Sequence, residues 1–531
     1  MMDVELNSWL MFEHAPKYAP DAEVVSRLPS GLLHRYTYAD FAGRAQQLMH
    51  ALDGMGIERG GRVATLAWNS YRHLEAYFAV PCTGRVLHTL NARLSADDLA
   101  YIAGHAGDVA VLVDPDFLPL LEEVRDRVPS LRHVIVLDDR LPDTALDGVI
   151  AYEDLIADRP TSYPPVDIPE RTPLGLCYTS GTTGRPKGAQ YTHRSTFLHA
   201  LTVTSATGMA IGPGDSVLSQ VPMFHANAWG MPYGSTLAGA KQVFFAGPLT
   251  PGPFVDLLLG ERVTISAGVP TIWLTVADDI RERGGLPEMH HIVVGGSQPP
   301  RSLITRYRED FGLRIIQAWG MTETSPLASV AWPQERMRDW DEERVTDAAR
   351  TQAGIPLPGV DISIRDEEGR PQPFDGESMG NLYVRGPWVI DGYLKGEGAE
   401  NFEADGWFRT GDVAIGSPGG YFVIADRTKD LIKSGGEWIS SVEMEAAIMA
   451  MPAVLEAAVV AVPDPKWQER PMACVVPRDG AFVTIEDVHS HLEASGFARW
   501  QLPARLEIID AVPKTSVGKF DKKVLRAKFG A

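Results

Sequence analysis

Short apolar runs alternate with amphipathic stretches through about the first 330 residues, and this alternation constrains the fold most strongly. Val63-Ala64-Thr65-Leu66-Ala67, Val109 to Val113, Val134 to Leu137, Val263 to Ala267, Ile292 to Val294 and Ile315-Ile316 read as buried strands. Helix starts lie between them, such as Ser95-Ala96-Asp97-Asp98, where a capping hydroxyl precedes acidic residues that suit a helix N-terminus. Strand and helix in turn predict an α/β architecture of parallel sheets. After about Gly354 the pattern changes: Asp361 to Arg365 and Leu382 to Arg385 alternate in polarity between Gly, Pro and Asp turns, which predicts a small antiparallel β-subdomain. Asp426 to Asp430 is a charged break, followed by a compact α+β segment with a helix capped at Ser440 and strands at Val459 to Val462, Ala473 to Val476 and Leu506 to Ile509.

The chain has 531 residues, more than one core holds, so at least two domains are expected. Net charge is −20, and no long basic run offers a nucleic acid a docking face, so no nucleic-acid partner is expected. No apolar run is long enough to span a bilayer, and the acidic start Met1 to Leu6 does not read as a signal peptide. Cys82, Cys177 and Cys474 are far apart and odd in number, which suits neither a disulfide framework nor a zinc site. A cytoplasmic location is the expectation.

Residues 178 to 188, Tyr-Thr-Ser-Gly-Thr-Thr-Gly-Arg-Pro-Lys-Gly, follow the apolar stretch Leu174 to Cys177. Gly181, Gly184 and Gly188 let backbone N–H groups approach an anion. Thr179, Ser180, Thr182 and Thr183 add hydroxyls that can donate to phosphate or meet a metal, and Lys187 adds a point charge. The spacing is not that of a P-loop, because Lys187 precedes Gly188 and Ala189 follows.

Other segments carry more chemical groups than a core requires. Gln317 to Thr324 follows a strand; Trp319 suits either core packing or stacking on a purine, and Glu323 either a solvated loop or a Mg²⁺ ion. Asp412, after the turn Gly406 to Gly411, suits a turn cap or the two hydroxyls of a ribose. Asp426 to Gly436 reads as a linker, and Pro513 to Lys523 as a basic tail in which Gly518 presents Lys519 on a turn. Pro222 to Gly230 is apolar around His225, which suits a core histidine or a site residue. His290 and His291 are adjacent and read as structural.

Taken together and in order, these segments resemble the adenylate-forming superfamily of acyl-CoA synthetases, peptide-synthetase adenylation domains and firefly-type luciferases. The stretches His73 to Pro81, Pro222 to Gly230 and Val294 to Ser297 bring the chain closest to bacterial medium- and long-chain fatty acyl-CoA synthetases. The resemblance implies a large N-terminal domain over 1–425, with two parallel-type sheets and the β-subdomain, a hinge over 426–430 centred on Lys429, and a small mobile α+β domain over 431–531.

It implies ATP, Mg²⁺ and coenzyme A as cofactors and partners, beside a carboxylic acid substrate. Thr179, Ser180, Gly181, Thr182, Thr183, Gly184 and Lys187 would cradle the phosphates, and Glu323 with Thr179 would hold the metal. Gly296, Ser297, Gln317, Trp319, Gly320 and Thr322 would line the nucleotide, with Trp319 standing where the family usually has Tyr. Asp412 and Arg427 would hold the ribose, and Lys433, Gly435 and Gly436 the coenzyme A passage. His225, Trp229, Val269, Pro270, Gly295 and Met321 would form the acyl pocket. Lys519 would be the lysine of adenylation, and Glu323, Thr179 and His225 would complete the catalytic set.

The activity implied is AMP-forming ligation of a fatty acid to CoA. Alternatives are a CoA ligase for a short, aryl or thioether acid, and adenylation with transfer to a carrier protein. A homodimer is implied by the same resemblance.

Overall fold

The computed structural model describes residues 2–179, 185–427, 430–434, 437–515 and 520–529, with the backbone alone at 433, 437 and 438. Among these residues the strands form four sheets of nine, seven, four and five strands. Each strand expected from an apolar run in the first 330 residues is present, as Arg62–Leu66, Ala110–Val113, His133–Val136, Ile265–Gly268, His291–Val294 and Arg314–Gly320.

The seven-stranded sheet is parallel from Val149–Ala151 across to Pro173–Tyr178, and Gly188–Thr192 closes its edge antiparallel. In the nine-stranded sheet, Arg314–Gly320, His291–Val294, Ile265–Gly268, Ser216–Ser219, Lys241–Phe245 and Glu23–Arg27 run parallel, with antiparallel strands outside them. Parallel strands of this kind are apolar on both faces because helices cover both. Val111 and Val293, for instance, are fully buried.

Ser95 caps helix Ala96–Ala106 by accepting from the Asp98 N–H, and Gly107 ends it at φ 71°, a left-handed cap that glycine adopts without a Cβ penalty. Every residue of helix Tyr71–Cys82 is buried. It packs on strands of both large sheets, and its charged residues are therefore paired. Glu75 meets Arg44 at 2.7 Å and Arg72 meets Glu153 at 2.9 Å.

Asp361–Arg365, Met379–Arg385, Phe408–Gly416 and Phe422–Arg427 form the four-stranded antiparallel sheet. Beyond it, Val454–Asp464, Gln468–Pro477, Arg505–Ile508 and two short strands build the five-stranded sheet, packed by helices Ser441–Met449 and Ile485–Ala494 around a core of its own. His291 is buried and donates to, or accepts through, no catalytic group: its Nε2 meets the Met209 carbonyl at 3.0 Å, while His290 is exposed.

Candidate functional site

The expected site residues gather where parallel strands end, the usual place for ligands in open α/β sheets. Tyr178, Gly268, Val294 and Gly320 each terminate a strand. The phosphate-loop segment joins Pro173–Tyr178 to Gly188–Thr192, so it is a hairpin connection between paired strands. Its base is closed twice. The Thr179 N–H donates to the Lys187 carbonyl at 2.9 Å, and the Lys187 N–H donates to Thr179 Oγ1 at 3.1 Å. Ser180, Gly181, Thr182, Thr183 and Gly184 lie outside the described residues, as do Lys429, Gly435, Gly436 and Lys519.

Lys187 Nζ lies 5.3 Å from the Tyr393 ring centre and 3.8 Å from Glu400. The Tyr393 hydroxyl in turn donates to Glu323 Oε1. Glu323 is buried, and burial pushes its carboxyl above the ordinary range, against the hydrogen bond from Tyr393. Tyr393 is a site residue that sequence reasoning missed. It is 70 positions from Glu323, and nothing in the local spacing announces the pair.

Asp412 is 2% exposed, and both of its carboxylate oxygens are engaged. Arg427 Nε holds Oδ1 at 2.7 Å, and Trp319 Nε1 donates to Oδ2 at 3.2 Å. The indole of Trp319 also stands edge-on to Phe422, with ring centres 5.6 Å apart. Three residues named separately from sequence thus form one unit. The cross-strand pairing of Asp412 with Arg427 builds it.

Gln317, with its amide oriented to suit its neighbours, donates to the Gln352 and Thr351 carbonyls at 3.1 and 3.3 Å. Thr322 is fixed by the Tyr191 hydroxyl, which donates to its carbonyl at 2.7 Å. A Cβ on Gly320 would lie 2.0 Å from the Pro326 carbonyl oxygen, so only glycine allows the strand and the returning chain to approach. The Met321 N–H donates to Thr324 Oγ1 at 3.0 Å inside that turn. Gly296 and Ser297 are exposed just past strand His291–Val294.

The acyl-pocket residues converge around one ring. Ala226, Asn227, Ala228, Trp229 and Gly230 all have positive φ, from 43° to 75°. Successive left-handed residues cost roughly 1–2 kcal/mol each, apart from glycine, and such strain persists only where surroundings impose it. Here the Ala228 N–H donates to the His225 carbonyl at 3.0 Å, and Asn227 Oδ1 accepts from the Cys177 thiol at 3.2 Å. The turn carries Trp229 onto Gly295, where a Cβ would stand 2.9 Å from the indole. Val269 and Pro270 begin helix Pro270–Glu282 beside the neighbouring strand end. His225 shares a small cavity with Thr179, Tyr178, Asn91, Leu94 and Phe224. Lys433 pairs through its backbone with Trp438 in the C-terminal sheet, away from these groups in sequence.

The profile of the AMP-binding enzyme family matches residues 12–394, and that of the AMP-binding enzyme C-terminal domain matches 443–519. The chain belongs to the AMP-binding enzyme family. This AMP-binding enzyme is 48% identical to a long-chain-fatty-acid–CoA ligase of Thermus thermophilus, over 100% of its own length and 96% of the relative's. It is 39% identical to a medium-chain-fatty-acid–CoA ligase of Ectopseudomonas oleovorans, over 100% and 97%. Among solved structures it is similar to ATP-bound MatB from Rhodopseudomonas palustris, with TM-score 0.84, 26% identity and coverage of 98% and 99%. No helix among the described residues is long and apolar enough to cross a membrane.

Proposed function

We propose that the protein is an AMP-forming fatty acyl-CoA synthetase, joining a medium- or long-chain carboxylic acid to coenzyme A through an acyl-adenylate. The full-length likeness to the Thermus ligase carries this reading. The unit of Trp319, Asp412 and Arg427 beside Glu323 supports it. In the first half-reaction the carboxylate attacks the α-phosphorus of ATP and pyrophosphate leaves. In the second the thiol sulfur of CoA attacks the adenylate carbonyl, its proton goes to solvent, and AMP leaves.

Each residue has a task in this scheme. Asp412 has lone pairs left for two ribose hydroxyls after Arg427 and Trp319 have donated. Arg427 and Lys187 screen phosphate charge, and Lys519 bridges the two approaching anions. Glu323 suits Mg²⁺: a buried carboxyl whose charge is disfavoured gains from a cation beside it, and no cluster of three or more acidic, His or Cys ligands competes among the described residues. Thr179 is the second metal ligand, and the bound ion would neutralise phosphate charge. Residues 1–425, 426–430 and 431–531 act as N-terminal domain, hinge and C-terminal domain. A homodimer in the cytoplasm completes the reading.

The seating of Trp229 on Gly295 favours a second reading, a pocket closed for short acids. An open tunnel gains about 0.8 kcal/mol for each methylene it buries. AMP release that depends on both CoA and acid, followed from butyrate to stearate, decides between them. Fatty acyl-CoA synthesis requires kcat/KM to climb with chain length. A maximum at butyrate supports the closed pocket, and AMP release indifferent to CoA refutes both.

A further inference from the structure

Strand Phe422–Arg427 pairs with Phe408–Gly416, placing Val413 opposite Asp426 and Asp412 opposite Arg427. The ladder ties Asp426 to the four-stranded sheet. Its side chain, however, is 1% exposed and reaches across to the C-terminal part. Asp426 Oδ2 accepts from the Ser441 N–H at 2.8 Å and also from the Ser441 hydroxyl. Ser441 is the first residue of helix Ser441–Met449. The Ser440 hydroxyl, which caps that helix, donates to the Ala425 carbonyl.

A carboxylate at this position meets the partial positive charge of a helix N-terminus. It also meets an ammonium. Lys522 Nζ donates to Ser441 Oγ and lies 2.7 Å from Glu445 Oε1, with both side chains under a tenth exposed. Lys522 opens helix Lys522–Phe529, whose Arg526, one turn on, pairs with Asp430. The same helix is therefore pinned on both sides of residues 428 and 429. In the sequence, Lys522 follows Lys519 by three positions, and Asp426 adjoins Arg427 of the ribose unit.

A buried carboxylate is stable only while its donors are in place, and an unpaired one is costly. Such a contact is made or broken as a whole. We propose that Asp426 is a positioning residue that docks the N-terminus of helix Ser441–Met449, holding the C-terminal domain in the orientation seen here and releasing it when the domain turns. The inference rests on the two-domain, two-step reading above. Asp426 lies on one side of the hinge and Ser441, Glu445 and Lys522 on the other, so rotation about residue 429 must part them.

Spin labels on Leu141→Cys and Phe482→Cys report the distance between the two parts by double electron–electron resonance. Both sites are exposed, and Cys82, Cys177 and Cys474 are buried. In the full-length protein, Asp426→Ala should reduce the docked-distance population at least fivefold. It should also change the ratio of pyrophosphate exchange to thioester formation from supplied acyl-adenylate at least fivefold. Asp426→Asn, which keeps the shape and loses the charge, should shift both readouts in the same direction, and it decides the matter where the alanine variant fails to fold. An unchanged distance distribution overturns the inference. So does a distance shift that leaves the ratio of half-reactions constant. The distance readout is independent of activity, so a wild-type protein inert toward fatty acids and ATP would refute the functional reading and leave the docking role to be judged on distance alone.

Discussion

The indole N–H of Trp319 ends on the same carboxylate that holds Arg427, and this arrangement differs from a simple stacking platform. A hydrogen bond to a charged group contributes about 1.5–3 kcal/mol. Removing the donor while keeping an aromatic ring leaves one oxygen of a buried Asp412 without its partner. Trp319→Phe should weaken ATP binding about tenfold, as about 1.4 kcal/mol implies, with kcat less affected. Equilibrium binding of ATP or its KM checks this, and a variant that binds ATP as tightly as the wild type would remove Asp412 orientation from the account. The residue identities at this unit were legible in the sequence, because ordered motifs named Trp319, Asp412 and Arg427. Their mutual bonds were not, since Trp319 and Asp412 are 93 positions apart and meet only through folding. Tyr393 beside Glu323 escaped notice for the same reason.

Elements were read more fully than contacts. Apolar runs announce buried parallel strands because both faces are covered, and Ser95 announces its helix because its hydroxyl accepts an orphan N–H. The left-handed turn from Ala226 to Gly230 had no such signal. Alanine and tryptophan do not favour positive φ, and tertiary contacts impose it. One of those contacts is helix His193–Thr204, whose His199 ring lies 2.6 Å from where a Cβ on Gly230 would stand. His199 Nε2 also accepts the Leu327 N–H at 3.0 Å, so the ring buttresses both the turn and the chain returning from Glu323. That acceptor role needs a neutral imidazole, and burial pulls its pKa down to about 3. The folded-state value lies below the unfolded one, near 6.5, so unfolding takes up a proton anywhere between them. Stability from this group is full above pH of about 6.5 and falls by about 1.4 kcal/mol per unit below it. His199→Gln should remove that slope. The loss of unfolding free energy from pH of about 6.5 to about 4.5 should be about 2 kcal/mol smaller in the variant. Urea unfolding at the two pH values measures it, and parallel losses in both proteins would mean that His199 is charged when folded.

At the scale of the whole molecule, the N-terminal part holds the ribose unit, Glu323 and the base of the phosphate loop, whereas Lys519 belongs to the sequence that opens the last helix. The change of pattern after Gly354 and the charged break at Asp426 made this two-part layout visible from sequence. What the sequence did not disclose is that Asp426 bridges the break by its side chain, because a charged stretch reads as solvated until its donors are placed. With the machinery divided in this way, the two half-reactions need different groups. Joining a carboxylate to a phosphate requires screening of two anions, and loss of one such stabilising group typically costs about a hundredfold to a thousandfold in rate. Attack of a thiol on an adenylate already formed brings no second oxyanion to that place. Lys519→Ala should therefore lower acid-dependent pyrophosphate exchange at least about a hundredfold while changing thioester formation from supplied acyl-adenylate by less than about fivefold. Rapid-quench assays of each half-reaction measure the two rates separately. Equal loss in both would place residue 519 in the fold of the C-terminal domain and not in the chemistry of the first step.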